Sequence, residues 1–581
     1  MVYGGKPSRG CRTCRARRIK CDEGKPTCKQ CAKSKRECGG YRSEFEIVHR
    51  DQTTTTVRRV RKALELERRP PAAPATTGFT FVHEQPEEFF RQQSQGRQWH
   101  RPHNSSPPPV VTMPLAQRAA CYFASNFILC PLTSTPHGYF DYLIPLLESA
   151  PADSALNHAF NACAFAAFGN RVKSASVDFS GLSLKAHTLA LTTTHLALGN
   201  AAKANTNSTL AAVLLLSLYE SITAVKNAQM LTWKSHVDGA AHIVKARGRA
   251  QMCQTKTGAL LFNAVRHQLI SRSLSSGKAP PLGADWWVDD DDATDSVFTT
   301  AEGFALKTSE LCVEVSRFAA NRPLDFVRQM IDMAKRVHAV DHDIAAWEAH
   351  IPSEFRPRTL CWVPAADTAP RAATAYAEME VFPGRVDIYP DFVTAAAWNM
   401  GRVSRLILES LRVRITAWLC SPTDYRTTAE YARSKEVCED IISDIIASVP
   451  YHLGWHTRRR ELFENESERS GFACGEDKPV KALPALLLMW SLTTVKNNDM
   501  TSEAQRAWAK GRLSLISDHV GIKNAGVLNQ FPFRFPSMMI RQDGLMSSPD
   551  PLQDPVGAGV IKRQSDTSSE SAPRGESLAS S

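Results

Sequence analysis

No stretch of this 581-residue chain is apolar for the ~20 residues that a membrane-spanning helix needs. The longest apolar runs, LAAVLLLSLY at 210–219 and ALPALLLMW at 482–490, read instead as buried helices. The first ten residues, MVYGGKPSRG, hold no apolar core of a secretory leader, so nothing points to an oxidising compartment. Catalytic signatures are missing too: the chain has no HExxH, GxSxG, GxxxxGK[ST] or GxGxxG, and SSGKAP at 275–280 lacks the earlier glycine of a phosphate loop. These absences predict a chain that is neither a membrane protein nor an enzyme. Net charge is almost absent from most of the length. Residues 71–581 carry 50 Lys+Arg against 51 Asp+Glu, whereas residues 1–70 carry 20 against 8. The formal +11 is therefore confined to the first eighth of the chain. Positive charge gathered at one end points to a polyanionic partner, nucleic acid before an acidic membrane surface.

That same segment holds six of the fifteen cysteines, at Cys11, Cys14, Cys21, Cys28, Cys31 and Cys38. Their spacing is an internal repeat, C-x2-C-x6-C written twice with an offset of 17 residues. Disulfides would need an oxidising compartment, and free structural cysteines are usually set among apolar residues, whereas these lie among charges. Metal binding remains, because paired C-x2-C is a zinc signature. One tetrahedral Zn²⁺ would strand two sulfurs. Two need eight sulfur contacts, which six cysteines supply only if two sulfurs bridge both ions. Two Zn²⁺ with six thiolates sum to −2, a charge that Arg12, Arg15, Arg17, Arg18, Lys20, Lys29, Lys33, Lys35 and Arg36 offset. Those cations are also expected to lower the thiol pKa values. RARRIK (15–20) and AKSKRE (32–37) each predict a short helix, with Cys11 and Cys28 near the helix starts. DEGKPT (22–27) joins the halves as a turn, and a core this small must draw its folding energy from metal.

The spacing of the six cysteines, the basic RARRIKCD and the Pro26 loop resemble the binuclear zinc cluster of fungal transcription regulators, over about residues 11–38. The resemblance implies two Zn²⁺ per chain, with Cys11 and Cys28 bridging, Cys14 and Cys21 completing one ion, and Cys31 and Cys38 the other. It implies a module that docks a helix end in the major groove of double-stranded DNA and reads CGG-like triplets. Arg18 stands where that family often has a base-contacting lysine, and arginine suits guanine O6 and N7. Arg15, Arg17 and Lys20 read as phosphate contacts or as compensation for the cluster charge. The resemblance further implies a nuclear regulator of RNA polymerase II genes. The alternative reading is a zinc module that contacts protein or RNA.

After the cluster, Val57, Val60 and Leu64 give about one heptad, short of the three or four that would predict a coiled coil. Arg58, Arg59, Arg61 and Lys62 fit a nuclear import signal, a phosphate clamp or an exposed charged helix. The expected organisation is a zinc module at 8–42, a basic segment and disordered linker at 43–113, a large all-α domain at 114–540 and a disordered tail at 541–581. The helical reading rests on apolar periodicity in 156–168, 191–203, 326–351, 395–419 and 436–449. Segments 214–248, 261–274 and 511–528 resemble the regulatory domain that follows the cluster in such regulators. A homodimer, the transcription machinery and a small effector are the partner classes that this leaves open. The nine remaining cysteines read as small core residues, His236 and His242 as structural histidines, and DWWVDDDDATD (285–295) as a solvated loop or an activation segment.

Overall fold

The computed structural model describes residues 11–40 and 113–545, apart from 18, 25, 132–137, 173–176, 226–227, 289–296, 365–371, 463–471 and 473–479. Two compact units divide the chain, residues 1–79 and 80–581. The expected linker and the tail beyond 545 lie outside the described residues.

The first unit contains two one-turn helices, α1 (Arg12–Ala16) and α2 (Lys29–Lys33). The second unit is mainly α, as expected. Its principal helices are α3 (Leu115–Phe127), α4 (Ala155–Arg171), α5 (Phe179–Leu198), α6 (Asn207–Thr223), α7 (Ala228–Arg247), α8 (Lys256–Ser276), α9 (Val297–Asn321), α10 (Phe326–His350), α11 (Phe392–Cys420), α12 (Ala429–His452), α13 (Ala482–Asn497) and α14 (Glu503–Leu515). Their starts follow local chemistry. Ser154, Asp178, Thr206, Thr255, Asp391, Thr428 and Ser502 each accept a first-turn N–H at the N-cap, and Ser502 forms a reciprocal capping box with Gln505. None of the helices among the described residues is long and apolar enough to cross a membrane.

Helix α6 sits at the centre. It is buried all round from Thr209 to Ile222, as an all-apolar helix must be, and packs on α4, α7 and α8. A second core joins α9, α10 and α11 through Leu311, Val315, Met333, Val337, Leu408 and Leu411. Several charged groups inside the unit are paired across helices. Arg266 Nε lies 2.6 Å from Glu302 (α8 to α9), and Arg405 reaches Asp341 at 3.0 Å and Glu348 at 2.9 Å (α11 to α10).

Three features depart from the sequence reading. The helix expected through 191–203 stops at Leu198, because Gly199 and Asn200 end it and Asn200 caps a new turn at 201–204. An antiparallel ribbon, β1 (Arg358–Val363) with β2 (Gly384–Ile388), interrupts the helices. The ordered helical region also passes the expected limit at 540. Ser537–Gln542 is helical, and the Asp543 carboxylate holds Arg414 through two 2.7 Å bonds and accepts Trp418 Nε1–H at 2.9 Å. That buried guanidinium needs its anion.

Of the scattered cysteines, Cys163 and Cys438 are core residues, while Cys121 and Cys253 are exposed. Trp287 is fully buried, stacks on Phe262 at 5.3 Å and donates to Pro281 O, so the aromatic half of DWWVDDDD is core. The acidic half lies outside the described residues. His242 Nδ1 sits 2.7 Å from Asp238 O, whereas the buried Nε2 of His236 has no hydrogen-bond partner among the described residues.

Glu220 on α6 is 6% exposed, and its nearest cationic candidate, His187, lies 3.8 Å away. Burial pushes His187 down to about 4, so it is neutral at pH 7, and pushes Glu220 up to about 7. A carboxyl raised above its unfolded value contributes stability below that value and loses it as pH rises through the folded pKa. The stability of Glu220→Gln relative to wild type is therefore expected to grow by about 2 kcal/mol between pH 4.5 and pH 8. Urea unfolding at both pH values checks this, and a pH-independent difference would refute it.

Candidate metal centre and nucleic-acid interface

The 17-residue repeat reappears in the backbone. Cys14 N–H donates to Cys11 Sγ at 3.3 Å, and Cys31 N–H donates to Cys28 Sγ at 3.3 Å. Arg17 N–H reaches Thr13 O and Ser34 N–H reaches Gln30 O, both at 3.2 Å. Ile19 N–H to Cys14 O (3.1 Å) and Arg36 N–H to Cys31 O (3.0 Å) close each half. Cys28 is the N-cap of α2, a place usually taken by Ser or Asp. The helices therefore start directly after Cys11 and Cys28 and contain the second cysteine of each pair. They do not occupy 15–20 and 32–37, as the basic stretches suggested. The sulfur cap fixes the start, and the closing bond five residues after the second cysteine turns the chain back toward the third.

This geometry brings all six cysteines together. Two sets of four sulfurs form, Cys11, Cys14, Cys21, Cys28 and Cys11, Cys28, Cys31, Cys38, with atoms within 4.8 Å of one another in each set. Cys11 and Cys28 belong to both, and their sulfurs lie 3.7 Å apart. Cys14 to Cys28 is 3.6 Å, Cys11 to Cys31 is 3.8 Å, and Cys14 to Cys31 is 3.9 Å across the two sets. A tetrahedron of Zn–S bonds near 2.3 Å has edges of about 3.8 Å, so the donor set fits zinc. Among the described residues no other group of His, Cys, Asp or Glu gathers ligand atoms this closely.

Four of the sulfurs are fully covered, mainly by one another and a thin peptide wrap. Desolvation raises the thiol pKa of Cys14, and likewise of Cys11, Cys28 and Cys31. Cys21 is lowered to about 7 by the N–H of Cys11 and, after it, that of Glu23. Cys38 is lowered by the N–H of Cys28, again 17 residues on. At Cys21 and Cys38, backbone N–H groups thus do what the sequence reading assigned to lysine and arginine, while the other four thiols are raised instead of lowered. Because thiols must lose protons to ligate, metal uptake competes with protonation of the four covered sulfurs.

Two residues that the sequence reading passed over hold the wrap in place. Asp22 accepts the N–H of Lys29 at 3.1 Å in the first turn of α2, and that bond holds its carboxyl below the usual range. Thr13 Oγ1 donates to Glu37 O at 3.1 Å and accepts Gly39 N–H at 3.0 Å, tying α1 to the strand that leaves Cys38. An Asp just after the third cysteine, and a Thr inside C-x2-C, were the signals available.

Outside the sulfurs, Arg12, Arg17, Lys20, Lys29, Lys33, Lys35 and Arg36 are exposed. Of the expected DNA contacts, Arg17 is exposed with its guanidinium 3.2 Å from Ser34 Oγ, and Lys20 is exposed after α1. Arg15 lies on α1, but its side chain, like the whole of Arg18, is outside the described residues.

Residues 9–46 match the fungal Zn(2)-Cys(6) binuclear cluster domain, and residues 121–358 match the fungal specific transcription factor domain. The chain carries the two domains of fungal zinc-cluster transcription factors, one after the other. The cluster domain binds two zinc ions and makes the chain a DNA-binding regulator. The chain is similar to transcription factor dbaG of Emericella nidulans, 23% identical over 368 residues, which is 61% of this chain and 78% of that protein. Shorter likenesses link it to an uncharacterized transcriptional regulatory protein of Schizosaccharomyces pombe (72% over 32 residues, 6% of each chain) and to White-opaque regulator 2 of Candida albicans (51% over 47 residues, 8% of this chain and 10% of that one). No solved structure matches the chain significantly.

Proposed function

We propose that this zinc-cluster factor is a nuclear, sequence-specific regulator of RNA polymerase II genes that reads CGG-like triplets. The observation that carries this reading is the pair of four-sulfur sets sharing Cys11 and Cys28 beneath an exposed cationic surface. In it, Cys11, Cys14, Cys21 and Cys28 hold one ion, and Cys11, Cys28, Cys31 and Cys38 hold the other. Zinc, when bound, crosslinks the two halves and supplies roughly 10–16 kcal/mol toward folding a module with almost no apolar core. The peptide does the rest. Cys11 and Cys28 cap the helices, Asp22 and Thr13 fix the wrap, and the rigid frame aims its basic side chains outward. Arg15, Arg17 and Lys20 contact phosphates and supply salt-dependent, sequence-independent affinity, while Arg18 reads a base edge. A three-base-pair site is too short for a genome, so the factor acts as a homodimer on paired half-sites. The proposed organisation is a zinc module at 8–42, a linking segment at 43–113 and a regulatory domain starting near 114.

Selection from random duplex DNA with the full chain tests the reading. The expected result is enrichment of CGG-like triplets at a fixed spacing. With Arg18→Ala, preference at one position should weaken by about 10- to 100-fold while binding to unrelated duplex stays nearly constant, since a bidentate base contact is worth about 1–3 kcal/mol. Preferential binding of RNA over duplex DNA would overturn the proposal.

A further inference from the structure

Helices α6, α7, α8 and α13 of the second unit, with Tyr139, Phe140 and the segment around Asn524–Leu528, line a partly open cavity of about 110 Å³. Its apolar wall includes Trp233, Met489 and Leu528. None of the residues lining it is Lys, Arg, Asp or Glu. Three lining side chains carry a buried atom with no hydrogen-bond partner among the described residues, and one of them, His267 Nδ1, faces Glu302 Oε1 at 3.3 Å. Trp490 Nε1–H is shut off from solvent without an acceptor, and Asn524 Oδ1 is shut off without a donor, on a residue 8% exposed. Native interiors seldom leave such atoms unpaired, because each costs the full desolvation of a polar group. Also in the lining, Gln268 Oε1 is already taken by Ser217 Oγ–H at 2.5 Å, so that pair makes no demand of its own.

We infer that this cavity is a binding site for a neutral, single-ring aromatic molecule carrying a carbonyl acceptor and a hydroxyl donor. No Lys, Arg, Asp or Glu lines the cavity, and the lining imidazole of His267 already faces Glu302 at 3.3 Å, which disfavours an ionised ligand. Indole faces and a thioether favour a flat aromatic body. An indole N–H is a donor only and requires an acceptor, while the amide oxygen of Asn524 requires a donor. The volume is close to that of an engineered ~150 Å³ cavity that takes benzene, and well above the ~30 Å³ that one water occupies. The site is formed by residues far apart in sequence and is independent of the DNA-binding reading, because its test measures ligand binding directly.

The experiment is calorimetric titration of the full-length protein with 4-hydroxyacetophenone, alongside 4-hydroxybenzoate as the anionic analogue and toluene as the purely apolar one. Expected is saturable binding of 4-hydroxyacetophenone at one per chain, with both analogues at least tenfold weaker. Trp490→Phe keeps the ring and removes the N–H, and should weaken binding about tenfold. Ser271→Leu fills the cavity and should abolish binding. Circular dichroism verifies folding, and should Ser271→Leu fail to fold, Trp490→Phe still decides. Four results would each overturn the inference. They are no saturable binding by the wild-type chain up to millimolar probe, equal binding of the benzoate, unchanged affinity in Trp490→Phe, and a cavity that holds water only.

Discussion

The Cys28→Ser protein is expected to retain neither zinc ion and to lose specific duplex binding by about a thousandfold or more, down to its non-specific level. Loss of a single ligand would ordinarily empty one site. Here the Cys28 sulfur belongs to both four-sulfur sets, 3.7 Å from Cys11 Sγ and 3.6 Å from Cys14 Sγ, so removing it leaves each set with three donors. The substitution is chemically clean in one useful respect. Cys28 also caps α2 by accepting the N–H of Cys31, and serine is among the best N-caps known. The helix start is therefore preserved, and a loss of metal cannot be blamed on a lost cap. The matching control is Cys38→Ser, whose sulfur belongs to only one set and is not fully buried. It should keep close to one zinc. Elemental analysis of purified protein, with binding assays on the selected duplex, reads both outcomes. Two zinc ions in Cys28→Ser, or equal zinc loss in the two variants, would sink the shared-sulfur arrangement. Far-UV circular dichroism should hardly change in either, since α1 and α2 are five residues each in a chain dominated by the second unit.

The metal centre was legible because its information is local. Five spacings along 28 residues constrain where six sulfurs can go, and the repeat offset of 17 carries through to the hydrogen bonds. What was misplaced there is instructive. The basic stretches 15–20 and 32–37 lie mostly outside the two helices, whereas Cys11 and Cys28 do stand at the helix starts, as expected, each sulfur accepting an i+3 N–H. The long helices of the second unit were legible for a different reason. Apolar residues at helical spacing, and the all-apolar run 210–219, demand burial whatever the surrounding topology. The features that escaped are those made by distant residues meeting. Asp543 reads as one more polar residue of a tail until Arg414 and Trp418 are seen beside it. The cavity draws its walls from residues as far apart as Tyr139 and Leu528, and no window of sequence contains it. The β1–β2 ribbon was missed because its exposed strand offers little alternation, and only β2 buries residues, Val386 and Asp387.

Lys496→Met is expected to destabilise the second unit by about 3 kcal/mol. Lys496 lies on α13 and is 3% exposed, a rare position for lysine. Its ammonium donates to three carbonyls of one departing segment, Leu528 O at 3.0 Å, Asn529 O at 3.1 Å and Phe531 O at 2.7 Å. Arg506 from α14 closes the same corner, donating to the carbonyl oxygens of Lys496, of Asn498 at 3.0 Å and of Thr501 at 2.8 Å. One lysine thus satisfies three backbone acceptors where a helix ends inside the protein. Methionine matches its length and removes every donor, so the cost is three buried carbonyls left unpaired, partly offset because a desolvated charge also goes. Burial already pushes the lysine down to about 8, which keeps it charged at neutral pH. A cation whose folded pKa is depressed gains stability as pH rises from that value toward its unfolded one. The deficit of Lys496→Met relative to wild type should therefore widen between pH 8 and about 10.5. Urea unfolding at pH 7 and pH 10 measures both quantities. An unchanged midpoint at pH 7 would mean that the carbonyl cluster finds water instead of needing the lysine. A deficit that narrows at high pH would mean that the three carbonyl bonds outweigh burial in setting its charge.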